Sequence, residues 1–524
     1  MPLIVVQLRS HDFLCRNIFK LQPHASALYG GSCSIQLAQA RSASSVPLHP
    51  SYSSLCTPIM LCSTIVNRVF GQINASAISP AGVRCVAMSA SGTRRVAVVG
   101  GGVSGLHCAY VLSKQGHAVT VFDMGKFAPG KTTWKGLQFD HGLQFVRPVS
   151  DAFRAICEEW LAAGALARWD EEAAVRYDAR SGTATPRAQW QQQQQQQQQG
   201  AASDAGFLDV LDPGPLYVGC PSSDAITSHL AAASHAAVRN DVKVAKAVYD
   251  ASSRKWLLEG AVRSPSRTLS DVKQQPPVTP WNLGVFDGLV LADKMTGCSG
   301  TPGYVELSGT TAGNKMQQAM SQVGSTPLLA LLMAYQPEEV PLEQQAAAAA
   351  AAGQDAQQQQ QHAKPVLELP FDAAAVVNSQ EIQWLCMDSR KPGRARADGM
   401  QCLVALSTAE FAATLVQRAS DGSLPRQTPE LLAKMVPPMF AAVQRVLAPL
   451  LPDGKLREPG FVQVHRWGAA LPAKAFGSAC LKAQTAQLAA CGDFCLGGGI
   501  ENAVLSGQAA AEAMCEMLAA ADSA

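Results

Sequence analysis

The stretch 96–105 constrains this chain more than any other part of the sequence. A run of apolar residues there leads into a G-x-G-x-x-G formed by Gly100, Gly102 and Gly105. In a βαβ dinucleotide unit, the first glycine allows a sharp turn, the second leaves room for a pyrophosphate, and the third lets the helix pack against the strand. The sequence therefore predicts a buried strand, a phosphate loop and a helix over 106–115.

An acidic residue stands where such a unit needs one. A second apolar strand, predicted over 118–122, ends at Asp123, whose carboxylate is expected to accept ribose hydroxyls. Val103 and Ser104, between the second and third glycines, are further candidate cofactor-binding residues, and the N-terminal amides of the following helix are expected to face the phosphates. A glycine-rich turn without a ligand is the alternative interpretation, and the motif alone does not separate FAD from NAD.

The N-terminal residues have the composition of a targeting segment. Residues 1–90 carry six basic residues and one acidic residue among many Ser and Ala, which is typical of a transit peptide. The residues around Cys85 are similar to the processing sites of chloroplast transit peptides in the green lineage. We therefore expect delivery to the chloroplast with cleavage near Cys85. A mitochondrial address and a disordered tail without an address are the alternatives.

The remaining composition excludes several classes of function. Beyond residue 90 the chain has 36 Lys and Arg against 39 Asp and Glu, a net charge of −3, so nothing indicates nucleic-acid binding. No run of 18 or more apolar residues occurs, which predicts no transmembrane segment. Ten of the 15 cysteines lie beyond residue 90 without a CxxC, which argues against a zinc site or a disulfide framework. We predict no metal, and Cys491 and Cys495 are interpreted as small core residues.

The closing segment 491–503 is the second informative stretch. Gly492 and Asp493 follow a short apolar run, and Asp493 could hold a ribityl or phosphate-linker hydroxyl. A helix is predicted to begin near Ile500, where its amides and dipole would favour the negative charge of a reduced flavin. A C-terminal core helix without a ligand is the alternative.

Two low-complexity tracts interrupt the chain. Residues 191–199 are polyglutamine, and residues 336–363 are rich in Ala and Gln. Such tracts bury little apolar surface and need no fixed structure. Tolerated surface inserts are the expected interpretation, with partner binding by the polyglutamine as the alternative.

Several separated motifs match one known family. They are Gly100–Gly105, Asp123, Phe139–Gly142, Tyr217–Pro221, Ser389–Arg394, His465–Trp467 with Leu471–Pro472, and Gly492–Asp493 through Gly507. With these residues the chain resembles the FAD-dependent amine oxidase superfamily and, within it, the renalase-like oxidoreductases of bacteria, algae and plants. The match spans most of residues 94–518.

The resemblance implies an α/β fold in which an FAD-binding Rossmann-like, doubly wound domain carries an inserted α+β substrate domain of mixed sheet. The implied domain order after residues 1–90 is an FAD-binding part, a substrate part, an FAD-binding return, a second substrate part, and a closing FAD-binding part. Their bounds are 91–150, 151–235, 236–300, 301–470 and 471–524.

By the same resemblance, Ile500 offers its backbone N–H to the flavin pyrimidine edge and Val248 contacts the adenine. The family usually has an Arg on the pyrophosphate where this chain has Lys131. The ammonium group of a lysine cannot make the paired hydrogen bonds that a guanidinium makes to a phosphate. Cys480 lacks the context of a flavin-tethering cysteine. FAD is therefore expected to bind non-covalently.

His465 and Trp467 are the candidate catalytic residues, because the corresponding segment crosses the substrate side of the flavin in the family. A surface or core histidine is an equal alternative for His465. Lys391 and Arg394 are expected on a solvated loop, with attraction of an anionic substrate as the alternative.

These observations predict an FAD-dependent oxidoreductase that transfers a hydride from a small organic donor to the flavin, with reoxidation by O2. The small-molecule donor is an amine or a reduced pyridine nucleotide of the NAD(P)H type, and fold analogy does not choose between them. A catalytically silent flavin-binding or interaction protein of the plastid and a nicotinamide-only dehydrogenase are the alternatives. An absorbance scan with and without a donor distinguishes all three.

Overall fold

The computed structural model describes residues 92–125, 131–134, 136–196, 207–262, 281–337, 366–396, 398–417, 424–425 and 427–522. The strands are β1 Arg95–Val99, β2 Ala118–Phe122, β3 Lys131–Trp134, β4 Leu137–Asp140, β5 Leu166–Trp169, β6 Ala174–Asp178, β7 Thr183–Pro186, β8 Leu216–Gly219, β9 Ala237–Arg239, β10 Val242–Asp250, β11 Lys255–Val262, β12 Trp281–Phe286, β13 Gly288–Leu291, β14 Glu306–Ser308, β15 Ser325–Tyr335, β16 Ala373–Val377, β17 Ile382–Met387, β18 Gln401–Ser407, β19 Phe461–Pro472, β20 Leu481–Ala483 and β21 Leu488–Ala490. The helices are α1 Val103–Lys114, α2 Asp151–Ala162, α3 Arg187–Gln196, α4 Asp224–Ser234, α5 Thr311–Gln322, α6 Ala409–Leu415, α7 Pro429–Leu447, α8 Asp493–Leu496 and α9 Ile500–Asp522.

The first sheet carries the glycine motif and has the strand order β20-β21-β13-β1-β2-β9. β1 pairs in parallel with β2 and β13, and β9 and β21 continue the parallel order on either side. The carboxyl ends of five strands drawn from both ends of the chain therefore meet at one edge. A ligand site is expected at that edge of an open α/β sheet.

The two faces of this sheet are covered differently. Val96 and Val98 of β1 are buried in a cluster that includes apolar residues of α1, α4 and α9. Ala97 and Val99 face a second cluster, built with the sheet β12-β11-β10-β14 and α5. The fold is therefore Rossmann-like, as predicted, with a small antiparallel layer taking much of one face.

The second large sheet has the order β19-β15-β18-β17-β16-β6-β7. β6 pairs in parallel with β16 and its other pairings are antiparallel, so the sheet is mixed, as predicted. One face packs against α7, and the other packs against β4 and β8.

Among the described residues, the segment 429–450 around α7 is long and apolar enough to cross a membrane by length and composition alone. Met439, Val443 and Leu447 of α7 are buried in the core against the sheet.

The polyglutamine tract differs in part from the expectation of no fixed structure. Residues 191–196 continue α3, which is anchored by buried Arg187 and by Trp190 under the guanidinium of Arg176. Gln191 also donates to the carbonyl of Leu211 at 2.9 Å. Residues 1–91, most of the tract 336–363 and residues 197–199 lie outside the described residues.

Candidate functional site

The glycine loop has the geometry that its spacing predicts. Gly100 has φ +118°, in the region that favours glycine, and its N–H donates to the carbonyl of Phe122 at 2.8 Å. A Cβ on Gly105 would lie 2.0 Å from the carbonyl oxygen of Gly100, so only glycine permits this approach of α1 to β1. A Cβ on Gly102 would meet nothing within 4 Å. Gly102 therefore faces open space in front of α1.

The N-terminus of α1 is suited to an anion. Gly102 is the N-cap and provides no side-chain hydrogen bond, and no acidic residue lies in the first turn. The amides of Val103 and Ser104 are among those without an intrahelical partner. Because the helix dipole adds positive charge here, the open space in front of Gly102 fits a pyrophosphate.

Asp123 lies beside this loop, at the end of β2. Its carboxylate accepts the N–H of Gly101 at 2.6 Å and the N–H of Gly125 at 2.6 Å. A carboxylate has about four lone-pair sites, so it can still accept ribose hydroxyls. The role of Asp123 at the ribose stays a prediction, and the structure shows that its carboxylate holds the glycine loop through the N–H of Gly101.

Val248 lies within β10, and its contact with the adenine stays a prediction. Val248 pairs with Leu257 and Ser308, six residues along β10 from Val242, or about 20 Å at the strand rise. Val242 instead donates its N–H to the carbonyl of Asp123 at 3.0 Å. Val242 is the residue of this strand that lies at the nucleotide end, and the resemblance did not single it out.

Lys131 begins β3 and pairs with Asp140 across the β3–β4 hairpin. Its side chain, with Pro129 and Gly130 before it, lies outside the described residues. Its role at the pyrophosphate therefore stays a prediction.

Two further carboxylates line the same sheet edge. Asp293 follows β13 and Asp493 begins α8 directly after β21. Asp293 is exposed to solvent, and desolvation by the surrounding protein raises its pKa. Burial, with a smaller contribution from Asp293, raises the pKa of Asp493 to about 6, and Lys294 opposes this rise. Asp293 and Lys294 are not among the residues predicted from the sequence, although their position directly after a buried strand was a usable signal.

The closing motif follows β21 at the same edge of the sheet. Gly492 has φ +151° and donates its N–H to Ser506 Oγ at 3.0 Å. α9 begins at Ile500, as predicted, and the preceding Gly497 and Gly499 have φ +124° and +111°. A Cβ on Gly499 would meet nothing within 4 Å. These glycines leave room for a flat ring to approach the amides of α9.

Strand β19 and the loop after β4 also reach α9. A Cβ on Gly498 would lie 2.7 Å from Cδ2 of Leu471, near the end of β19. The carboxylate of Glu501 accepts the N–H groups of Val149 at 2.7 Å and Ser150 at 2.9 Å. Both segments that carry the aromatic residues described next are therefore held at the N-terminus of α9.

Three aromatic side chains, His141, His465 and Trp467, form a group that we call the ring trio. The rings of His141 and His465 stack with centroids 3.9 Å apart, and those of His465 and Trp467 are 5.0 Å apart. Trp467 Nε1 donates to the carbonyl of His141 at 2.9 Å. His465 and Trp467 project from one face of β19, opposite buried Val464 and Arg466. The two candidate catalytic residues are therefore together, and His141 is a third member that was not predicted.

Burial lowers the pKa of His465 to about 4. Its imidazole is therefore neutral at physiological pH, and it can stack or exchange hydrogen bonds without carrying charge.

The expectation of a solvated loop at Lys391 and Arg394 is wrong. Both side chains are buried with Asp140 and Asp388 in what we call the charge cluster. Arg394 Nη1 lies 2.7 Å from Asp388 Oδ2 and Nη2 contacts Asp140 Oδ2, while Lys391 Nζ lies 2.7 Å from Asp388 Oδ1. Two cations and two anions thus balance. These buried bases are also not exposed to attract an anionic substrate.

The charge cluster also fixes ionisation states. Burial favours the neutral form of Asp140, but Lys391 and Arg394 outweigh it and hold the pKa of Asp140 below its usual value. Asp388 and Asp140 likewise raise the pKa of Lys391 above its usual value, against the effect of burial. Asp140 and Lys391 therefore stay charged across the physiological range.

The residues fit an FAD molecule laid along this edge of the sheet. The open helix N-terminus at Gly102 suits the pyrophosphate, and the glycine-lined start of α9 suits the flavin. Residues 95–255 match the family model of FAD dependent oxidoreductases. The cofactor is FAD.

Two solved structures are similar to this chain. Cyclohexylamine oxidase from Brevibacterium oxydans is 12% identical, with a TM-score of 0.50 over 81% of this chain and 99% of that one. A putrescine oxidase bound to putrescine is 13% identical, with a TM-score of 0.47 over 80% of this chain and 98% of that one. Identity this low shows a shared fold and leaves the donor undetermined.

Proposed function

We propose that this protein is an amine oxidase-like, renalase-like enzyme that transfers a hydride from a small organic donor to FAD, with O2 as the final acceptor. The observation that carries the proposal is the ring trio, in which His141, His465 and Trp467 meet on two segments that both reach the start of α9. An aromatic wall built on these segments can hold a planar donor against the flavin.

The connections of β19 support this placement of the wall. Trp467 and Leu471 lie on the same strand, four residues or about 13 Å apart. Leu471 contacts the glycine loop before α9, so the strand runs from the trio to the region where the flavin ring is expected. A donor stacked on the trio would therefore lie within reach of the flavin.

The neutral imidazole of His465 and the paired carboxylate of Asp140 favour one class of donor. His465 is neutral at physiological pH, and Asp140, next in sequence to His141, is already paired with Lys391 and Arg394. An alkylammonium ion would lose its hydration here without gaining a free carboxylate among these residues. A reduced pyridine nucleotide presents a neutral, planar dihydropyridine ring that stacks without this cost. We therefore place it ahead of an amine as the donor.

When bound, FAD supplies a two-electron acceptor for the hydride. His465 and Trp467 orient the donor ring and exclude water from its face. His465 is not the acceptor of a proton near neutral pH, because its pKa of about 4 is too low. The amides at the start of α9 stabilise negative charge at the flavin pyrimidine edge. Ile500 is the first residue of that helix.

Non-covalent binding of FAD is part of the proposal. Cys480 packs against the core cluster of α1 and α9, and burial raises the pKa of its thiol. A buried, protonated thiol is a poor nucleophile, so Cys480 is not suited to form a flavin link.

We also propose that residues 1–85 deliver the protein to plastids. The support is their basic, hydroxyl-rich composition. A fluorescent reporter fused to these residues should accumulate in chloroplasts, and a cytosolic or mitochondrial signal would contradict the proposal.

The donor is tested by anaerobic titration of the purified holoprotein with reduced pyridine nucleotides, including isomers with misplaced hydrogens, and in parallel with primary and secondary amines. We expect the flavin absorbance to bleach with a pyridine nucleotide and to return, with formation of hydrogen peroxide, when O2 is admitted. Bleaching by amines and not by pyridine nucleotides would show that the donor is an amine. No bleaching by either panel would favour a catalytically silent flavoprotein.

A further inference from the structure

We propose that Arg394 is a positioning residue of the donor site: its guanidinium, forked between Asp140 and Asp388, sets where His141 stands against His465. The structural part of this proposal is independent of the donor. Its consequence for turnover rests on the function proposed above.

Arg394 binds four acceptors from three segments of the chain. Besides the carboxylates of Asp140 and Asp388, it donates from Nε to the carbonyl of Pro221 at 3.0 Å and from Nη2 to the carbonyl of Gly219 at 3.2 Å. A planar fork with five donors can satisfy such a set, whereas an ammonium group on a flexible stem cannot span it. The residue type therefore matters here beyond its charge.

The contacts of Asp140 pass this constraint to the next residue. Its own N–H donates to Asp388 Oδ2 at 2.8 Å, and its Oδ1 accepts the N–H of Ser223 at 3.2 Å. Its carbonyl accepts from Gln144 Nε2 at 2.7 Å. Hydrogen bonds therefore hold the N–H, the carbonyl and the side chain of Asp140. His141 is the next residue, so its backbone position is set by these bonds.

His141 then transmits the position to the rest of the trio. Its ring stacks on His465, and its carbonyl accepts from Trp467 Nε1. A shift of the β4 end by a fraction of an ångström would move the carbonyl and the ring together. The stack and the Trp467 hydrogen bond would loosen at the same time.

Stability alone does not account for the cluster. Burying two ion pairs costs desolvation energy, and well-packed apolar residues of similar volume often serve a fold equally well or better. What the cluster provides is a defined geometry between segments that are distant in sequence, since Arg394 and Asp140 are 254 residues apart. Positioning of the neighbouring ring is the role that this geometry fits.

The test uses the full-length holoprotein labelled with 13C at histidine Cε1. The chain has ten histidines, and His141→Ala and His465→Ala assign the two signals of interest. In the wild type, both signals should show the ring-current shift of a stacked pair, and His465 should stay neutral from pH 5 to 8. In Arg394→Lys, we expect the ring-current shift to fall and the pKa of His465 to rise towards the ordinary value of about 6.5, so that it titrates in this range.

A second variant keeps the test decisive if Arg394→Lys is poorly folded. The double variant Arg394→Met/Asp388→Asn removes one cation and one anion together, and it should give the same loss of stacking. Folded variants with unchanged His141 and His465 signals would overturn the proposal. Loss of FAD and of cooperative unfolding in both variants would also overturn it, because the cluster would then support the whole fold.

The matched control is Arg445→Lys. Arg445 makes a similar fork, to Glu381 on the surface, with Nε–Oε2 at 3.0 Å and Nη2–Oε1 at 2.5 Å. Its side chain is 58% exposed. This variant should leave the histidine signals as in the wild type, and a change equal to that of Arg394→Lys would contradict a role specific to Arg394.

Once a donor is known, rates of flavin reduction give an independent measure. If Arg394 acts through His141, adding Arg394→Lys to His141→Ala should slow reduction no further than His141→Ala alone. Rate losses that multiply would show that Arg394 acts by another route. Failure to find a donor would leave the histidine result standing.

Discussion

The imidazole rings of His141 and His465 stack at a centroid distance of 3.9 Å, with an angle of 23° between their planes. One ring follows β4 near the start of the described chain, and the other projects from β19 near its end. The wall of the donor site is therefore completed only when the FAD-binding part and the mixed sheet are both folded.

His141→Ala should slow flavin reduction by the donor while leaving the FAD content unchanged. An aromatic pair contributes about 0.5–1.5 kcal/mol, which corresponds to roughly twofold to tenfold in rate. Anaerobic rapid mixing measures the effect. The control is His235→Asn, at an exposed position with φ +52° that Asn accepts readily. Equal rates for wild type and His141→Ala would show that His141 does not contribute to the donor site.

Gly102→Val should abolish FAD binding without unfolding the protein. Gly102 has φ −72° and ψ 177°, which any residue adopts, and its Cβ would point into open space. The branched side chain would therefore fill only the volume that the pyrophosphate needs. Quenching of flavin fluorescence on titration of FAD-free protein measures the loss, and wild-type affinity would contradict this assignment.

Gly105→Ala is the contrasting variant in the same loop. Its Cβ would lie 2.0 Å from the Gly100 carbonyl oxygen and 2.8 Å from Cβ of Ala292. We expect loss of stability of about 3 kcal/mol, at the upper end for overpacking, seen in denaturant unfolding. A variant as stable as the wild type would show that α1 is set further from β1.

Asp493→Asn should stabilise the FAD-free protein at pH 7 and not at pH 4. Burial and Asp293 raise the pKa of Asp493 to about 6, against about 3.9 in the unfolded chain. The native state therefore binds the extra proton between these values, and stability falls as the pH rises through that window. The amide removes this loss, which we expect to be on the order of 1 kcal/mol after solvent screening.

Thermal unfolding of wild type and Asp493→Asn across pH 4–7 checks the sign. A variant less stable than the wild type at pH 7 would contradict it.

Asp493→Ala and Asp123→Ala should each weaken FAD binding about tenfold to hundredfold, because each loses a hydrogen bond to a hydroxyl group worth about 1.5–3 kcal/mol.

Acid precipitation should release the flavin into the supernatant. Cys480 is held in the core as a protonated thiol, and it is not suited to form a covalent link. Colour that stays with the pellet would show a covalent attachment.

The features that could be predicted from the sequence are local ones. The loop Gly100–Gly105, the strand that ends at Asp123 and the helix that begins at Ile500 each follow from neighbours within a few residues. Backbone sterics and helix capping act over that range, so spacing alone determines them.

The charge cluster could not be predicted in this way. Lys391 and Arg394 look like surface residues because a charged side chain is rarely buried without a partner, and Asp140 lies about 250 residues away. The contact of Val248 with the adenine stays a prediction. The resemblance indicates which strand is involved, but the position along β10 is set by its pairing with β11 and β14.

The most direct test of the account compares the wild type with Trp467→Ala, each loaded with equal FAD, in anaerobic rapid mixing with a reduced pyridine nucleotide. We predict that the wild-type flavin bleaches completely and that the variant bleaches about tenfold more slowly, a change of about 1.4 kcal/mol in the barrier. Wild-type flavin that stays oxidised, or equal rates for the two proteins, would contradict the account.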